Sequence, residues 1–164
     1  MSIVYFKDNF FSSGETQITD SSGGEAGFLN LHSMFGSGIT VHDNSGRRVV
    51  SGKFRMFSNA WIVADCYENE VGVLRPKFAF FKQRYVYTSN RHGEFTIESP
   101  AFSKEYVVCD SRGNTAAYFR RTSGMFSAGA YELNNSSSLT DDELIAVVMG
   151  VYAIIKRQQS AAAT

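Results

Sequence analysis

Between residues 3 and 134 the chain alternates apolar and polar positions in short runs, each stopped by turn-forming residues. Alternation with period two marks a half-buried strand. The turn Asp20-Ser-Ser-Gly23 separates strands predicted at 16–19 and 26–31. Asp43-Asn-Ser-Gly46 separates 39–42 from 48–54, and Asp110-Ser-Arg-Gly113 separates 106–109 from 115–120. In each, Asp can accept bonds from the backbone that follows it, and Gly accepts the left-handed conformation that closes a short hairpin. Turns at 68–70 and 89–93 join 60–65 to 71–75 and 84–88 to 94–98. About a dozen closely spaced strands predict a sandwich or a barrel.

The period then changes. From Leu144 to Ile155 no residue is charged, and no polar stripe interrupts the run. A helix that is apolar all round must be buried on every side, and a sheet wrapped around it is the arrangement that achieves this. Thr140 with Glu143 has the spacing of a capping box, and Asp141, Asp142 and Glu143 suit the positive end of the dipole. Lys156 and Arg157 are expected in the last turn, which predicts a helix over 140–157 and a frayed tail over 158–164. Gly150 in mid-helix costs about 1 kcal/mol relative to Ala, so close approach of a strand is expected there. The apolar core is shorter than the ~20 residues a bilayer span requires.

Composition narrows the function. At 164 residues, the chain reads as one domain over 1–164. Its 14 Phe and 8 Tyr favour strands. The formal net charge is zero, which argues against nucleic acid as a partner. The charge is unevenly placed, however. Residues 47–121 hold 13 Lys or Arg against seven acids, whereas both flanking regions are acidic. Two distant cysteines, Cys66 and Cys109, make no disulfide framework. The first eight residues have no secretory pattern, so a cytoplasmic protein with reduced thiols is expected.

A faint internal repeat runs through the turns. Residues 39–50 resemble 106–117, and each copy continues into a basic, Phe-containing stretch, 53–58 and 120–127. Duplication of a half-domain and the shared grammar of hairpins explain this equally well. The dozen strands, the Asp-x-x-Gly hairpins, the repeat and the terminal apolar helix resemble the tubby C-terminal-like superfamily over residues 3–157. In length the chain is most similar to LURP-one-related proteins and their bacterial relatives. That resemblance implies a mainly β fold, a closed antiparallel barrel of about 12 strands threaded through its centre by the C-terminal helix. It also implies a binding module rather than an enzyme. Phospholipid scramblases share the superfamily, but they carry Pro-rich and Cys-rich segments. This chain has two Pro and two Cys, so lipid scrambling is not expected.

No catalytic constellation stands out. There is no Gly-x-Ser-x-Gly, and Gly36-Ser37-Gly38 is too short for a phosphate cradle. His32, His42 and His92 have no metal-binding spacing, so neither metal nor cofactor is expected. The basic residues are the functional candidates. Lys53-Phe54-Arg55 puts two cations on one strand face and Phe54 on the other, and is similar to the Lys-x-Arg strand motif by which tubby binds phosphoinositide. Arg75-Pro76-Lys77 repeats the spacing, as do Lys82 and Arg84. These six cations are the expected site for an anionic phospholipid or phosphoinositide headgroup, held by charge-assisted hydrogen bonds. Such a protein would sit peripherally at a membrane. The alternative partner is another protein, docked on the barrel with no lipid role.

Overall fold

The computed structural model describes residues 1–7, 14–32, 38–100, 105–122 and 130–163. Twelve strands form one closed barrel: β1 Ser2–Lys7, β2 Glu15–Asp20, β3 Glu25–His32, β4 Gly38–His42, β5 Arg48–Phe54 and β6 Trp61–Asp65. They continue with β7 Glu70–Lys77, β8 Lys82–Ser89, β9 Gly93–Pro100, β10 Tyr106–Cys109, β11 Thr115–Thr122 and β12 Ala130–Asn135. Each strand is antiparallel to the next, and β1 pairs with β12 from Ser2↔Asn135 to Lys7↔Ala130 to close the cylinder. The fold is thus the closed 12-strand barrel expected, followed by a single helix, α1 Asp141–Ala162.

The turns at one end share a construction. Asp20, Asp43 and Asp110 each accept backbone N–H bonds from two and four residues on. Gly23, Gly46 and Gly113 take φ of 80–83°. A fourth copy was not legible as such: Asp65 accepts from Tyr67 and Asn69, and the left-handed position is Glu68, φ 65°. In all four hairpins the register shifts by a bulge just before the Asp. The recurrence at β2–β3 and β6–β7 shows that the Asp-centred turn is not peculiar to 39–50 and 106–117. Gly36 and Ser37 lie outside the described residues, as do 123–127 of the second repeat copy.

The helix enters the barrel at this Asp-rich end. Thr140 Oγ1 accepts the Glu143 N–H at 3.2 Å, which is one half of a capping box. The Glu143 carboxylate turns instead to the barrel wall and accepts from Tyr87 (2.6 Å) and Ser89 (3.2 Å). Leu144 to Met149 are all 0–1% exposed, so every side of the helix is covered. Trp61 of β6 reaches it from one arc of the wall, and its indole Nε1 donates to the Ala146 carbonyl at 3.1 Å. Tyr106 of β10 and Phe119 of β11 reach Tyr152 from another arc, edge-on at 5.6 and 5.9 Å. Gly52 and Gly150 leave the room the Trp61 ring occupies.

The helix leaves at the opposite end and extends five residues beyond Arg157. Lys156 and Arg157 therefore lie before the last turn, which carries no basic residue. Good helix formers at Gln158, Gln159, Ala161 and Ala162 carry the helix past the cations. Arg157 is held sideways: its guanidinium stacks 3.3 Å over the Phe54 ring and donates to the Ser58 carbonyl at 2.8 Å.

Candidate functional site

Strand alternation puts all six expected cations on the outside of the barrel. Lys53 follows the buried Gly52 on β5, and Phe54 turns inward to meet Trp61 edge-on at 5.1 Å. Arg55 is exposed just after the strand, so Lys53 and Arg55 share the outer face as the Lys-x-Arg spacing implies. Two strands on, Arg75 stands opposite Val86 and Lys77 opposite Arg84. Pro76 pairs with Tyr85 one residue before β7 ends, where a missing donor is tolerated. Arg75, Lys77, Lys82 and Arg84 thus form one cluster on β7–β8. Lys53 and Arg55 lie apart from it, with β6 between.

The cations divide by partner. Lys82 Nζ contacts Glu98 Oε2 at 2.7 Å, and Arg84 Nε contacts Glu98 Oε1 at 2.6 Å. One carboxylate thus binds two of the six, and the Lys82 bond, then Arg84, holds its pKa below the usual value despite partial burial. Arg55 pairs with Glu70 at 3.0 Å. These pairs are 30–46% exposed, so each contributes about 0–1 kcal/mol and a competing anion can open it. Lys53, Arg75 and Lys77 are exposed and make no ion pair among the described residues. The second basic stretch is also engaged: Arg120 pairs with Glu132 at 3.2 Å and lies over the Tyr118 ring.

A shallow groove of about 410 Å³ runs beside this cluster, across β7 to β10 and the β10–β11 turn. Lys77 and Arg84 line it together with Glu94, Glu98 and Asp110, so its charge is mixed. Cys109 also lines it, and burial, then Glu98 and Asp110, push its thiol pKa up, which disfavours a reactive thiolate. Cys66 and Cys109 are both free. Two histidines converge where sequence gave no hint: His32 and His42 each place Nε2 within 3.0–3.1 Å of the Thr40 hydroxyl. Among the described residues, no group of His, Cys, Asp and Glu could hold a metal. No helix among them is long and apolar enough to cross a membrane.

Residues 3–155 match the sequence profile described as LURP-one-related. The fold is similar to an X-ray structure of a protein from Arabidopsis thaliana. The TM-score is 0.58 at 14% identity, over 96% of this chain and 91% of the other. At that identity the similarity speaks for the fold alone. No curated protein matches the chain.

Proposed function

The chain belongs to the LURP-one-related family, and on that premise we propose that it is a non-catalytic, tubby-like binding module that docks on anionic phospholipid headgroups through its basic outer face. The observation that carries this reading is the trio Lys53, Arg75 and Lys77, exposed and without a carboxylate partner among the described residues. Lys82 and Arg84 stand beside Arg75 and Lys77 and can exchange Glu98 for a phosphate. Each basic residue near an anionic leaflet contributes about 1 kcal/mol, screened by salt.

The test is flotation with phosphoinositide-containing vesicles. Lys53→Ala with Arg75→Ala and Lys77→Ala should weaken binding by about 3 kcal/mol at most, and binding should fall as salt rises. Lys53→Ala with Arg55→Ala should cost less, because Arg55 is already spent on Glu70. Unaltered binding by the triple variant would remove the reading.

A second reading is a protein-interaction module with no lipid role. The mixed charge of the groove supports it, since two cations and three carboxylates suit a peptide carrying both signs better than a phosphate. It takes first place if the parent protein fails to float at low salt.

A further inference from the structure

The two ends of the barrel differ in chemistry. At the end where the helix enters, four of the hairpins turn on Asp with Gly or Glu. At the end where it leaves, the described hairpins turn on aromatic residues. The β5–β6 connection holds Met56 and Phe57, and the β7–β8 connection reads Phe78-Ala79-Phe80-Phe81. Up-and-down pairing puts these two connections at one rim. Their large side chains are 75–101% exposed. Phe78 and Phe80 contact edge-on at 5.0 Å, but neither ring is covered.

Backbone geometry makes these rings harder to explain as packing. Phe57 has φ 56° and Phe81 φ 60°. The left-handed region is costly for a bulky side chain and free for glycine. At the other rim, Gly23, Gly46 and Gly113 fill such positions. Stability alone would therefore place glycine at 57 and 81. Two phenylalanines stand there, in strained backbone, with their rings in water.

We infer that the Phe57 and Phe78–Phe81 hairpin tips form a wedge that inserts into the headgroup–acyl boundary of a bilayer. Cations bracket the apolar tips: Lys77 and Lys82 stand at either end of the Phe78–Phe81 segment, and Arg55 precedes Met56. Aromatic rings at headgroup depth, with Lys and Arg at the phosphates, is the arrangement interfacial anchors use. The tips are hairpin ends whose large side chains face solvent, so a surface that yields around them fits better than a rigid pocket. Residues 8–13, 33–37, 101–104 and 123–129 lie outside the described residues, and the inference does not use them. In sequence they carry Phe10, Phe11, Phe35, Phe102 and Phe126.

This inference deepens the membrane reading and rests on it, but it uses different side chains, so the two can fail separately. The probe is vesicles of phosphatidylcholine with phosphatidylserine. Phe57→Gly with Phe81→Gly should reduce partitioning by roughly tenfold or more, the effect of losing two buried rings. The same variant should keep or raise Tm, which a packing role would not allow. Phe81→Trp should blue-shift on binding and be quenched by brominated acyl chains, against a constant background from Trp61, which is 0% exposed. If the parent floats but the glycine pair binds equally and Phe81→Trp is not quenched, the wedge is overturned and the headgroup reading stands. If the glycine pair loses binding and the Lys53, Arg75, Lys77 variant does not, the wedge stands and the headgroup reading falls. A parent that does not float at low salt overturns both. A glycine pair that abolishes self-association in place of vesicle binding overturns the wedge alone and assigns the tips to a second copy of the chain.

Discussion

The Trp61 indole occupies the space where a β-carbon on Gly150 would stand, and its N–H bonds the carbonyl of Ala146, one turn earlier on the same helix. Strand and helix are thereby locked in both rotation and depth. Elsewhere in a helix, Gly→Ala stabilises by about 1 kcal/mol. Here the sign should reverse. Gly150→Ala should destabilise by about 1–3 kcal/mol through overpacking against the ring. Thermal denaturation gives the sign. In a Trp61→Leu background, the same change should become neutral or favourable.

Glu143 should matter more than a capping residue. Its carboxylate is buried and receives the Tyr87 and Ser89 hydroxyls. Burial, then the bond to Glu143, pushes the Tyr87 pKa far above the usual phenol value. Glu143→Ala leaves a buried phenol without its acceptor, so a loss of about 2–3 kcal/mol is expected in urea denaturation. Glu143→Gln keeps an acceptor and should cost less. Equal losses would show that only the helix start is at stake.

Glu68 should be a stabilisation site. It fills the left-handed position that glycine fills in the three sister turns. Its pair with Arg48, at 2.6 Å, is solvent-exposed and offsets little. Glu68→Gly should raise stability by roughly 0.5–1 kcal/mol, read as a higher melting midpoint. A fall would mean that the ion pair outweighs the backbone strain.

The acid limb of stability should trace to the turns. The Asp20, Asp43, Asp65 and Asp110 pKa values are lowered from 3.8, Asp43 to about 2. Bonds from the Ser22 and Ser45 side chains lead for the first two, and backbone bonds from Asn69 and Asn114 for the others. A carboxylate depressed on folding stabilises above its unfolded pKa, and that contribution is lost as pH falls through the folded pKa. Melting midpoints should therefore drop between about pH 5 and about pH 2. Asp142 opposes this, because burial raises its pKa and protonation relieves the penalty. Changing the four turn Asp to Asn keeps the acceptor oxygens, so the acid limb should flatten, with a residue from Glu98. A profile identical to the parent's would locate the acid sensitivity elsewhere.

Strands and turns were legible because each hairpin signals locally: Asp20, Asp43 and Asp110 announce their turns with a Gly three residues on. The turn after β6 was legible at 68–70 but not as a copy of the Asp-x-x-Gly pattern, since Glu68 stands where the glycine would. The helix was legible because its apolar run admits one environment. The ion pairs were not, because they depend on register across strands. With the hairpin turn placed at 89–93, counting back would have set Arg84 against Glu98, which are paired in the barrel. The aromatic tips were hidden by composition, since Phe78, Phe80 and Phe81 read as strand residues until the turn between β7 and β8 is fixed.

Closure of the barrel by β1 on β12 has a kinetic consequence. The seam joins residues more than a hundred positions apart, and the helix that fills the lumen follows the last strand. During synthesis, every strand reaches solution before its core does. A sheet curling early would enclose an empty, greasy tube, so productive collapse waits for α1. Pairings this distant are slow to form and leave intermediates prone to aggregate. For this chain the dangerous interval is the time between release of β12 and arrival of the helix, and a pause in translation just past Asn135 would lengthen it.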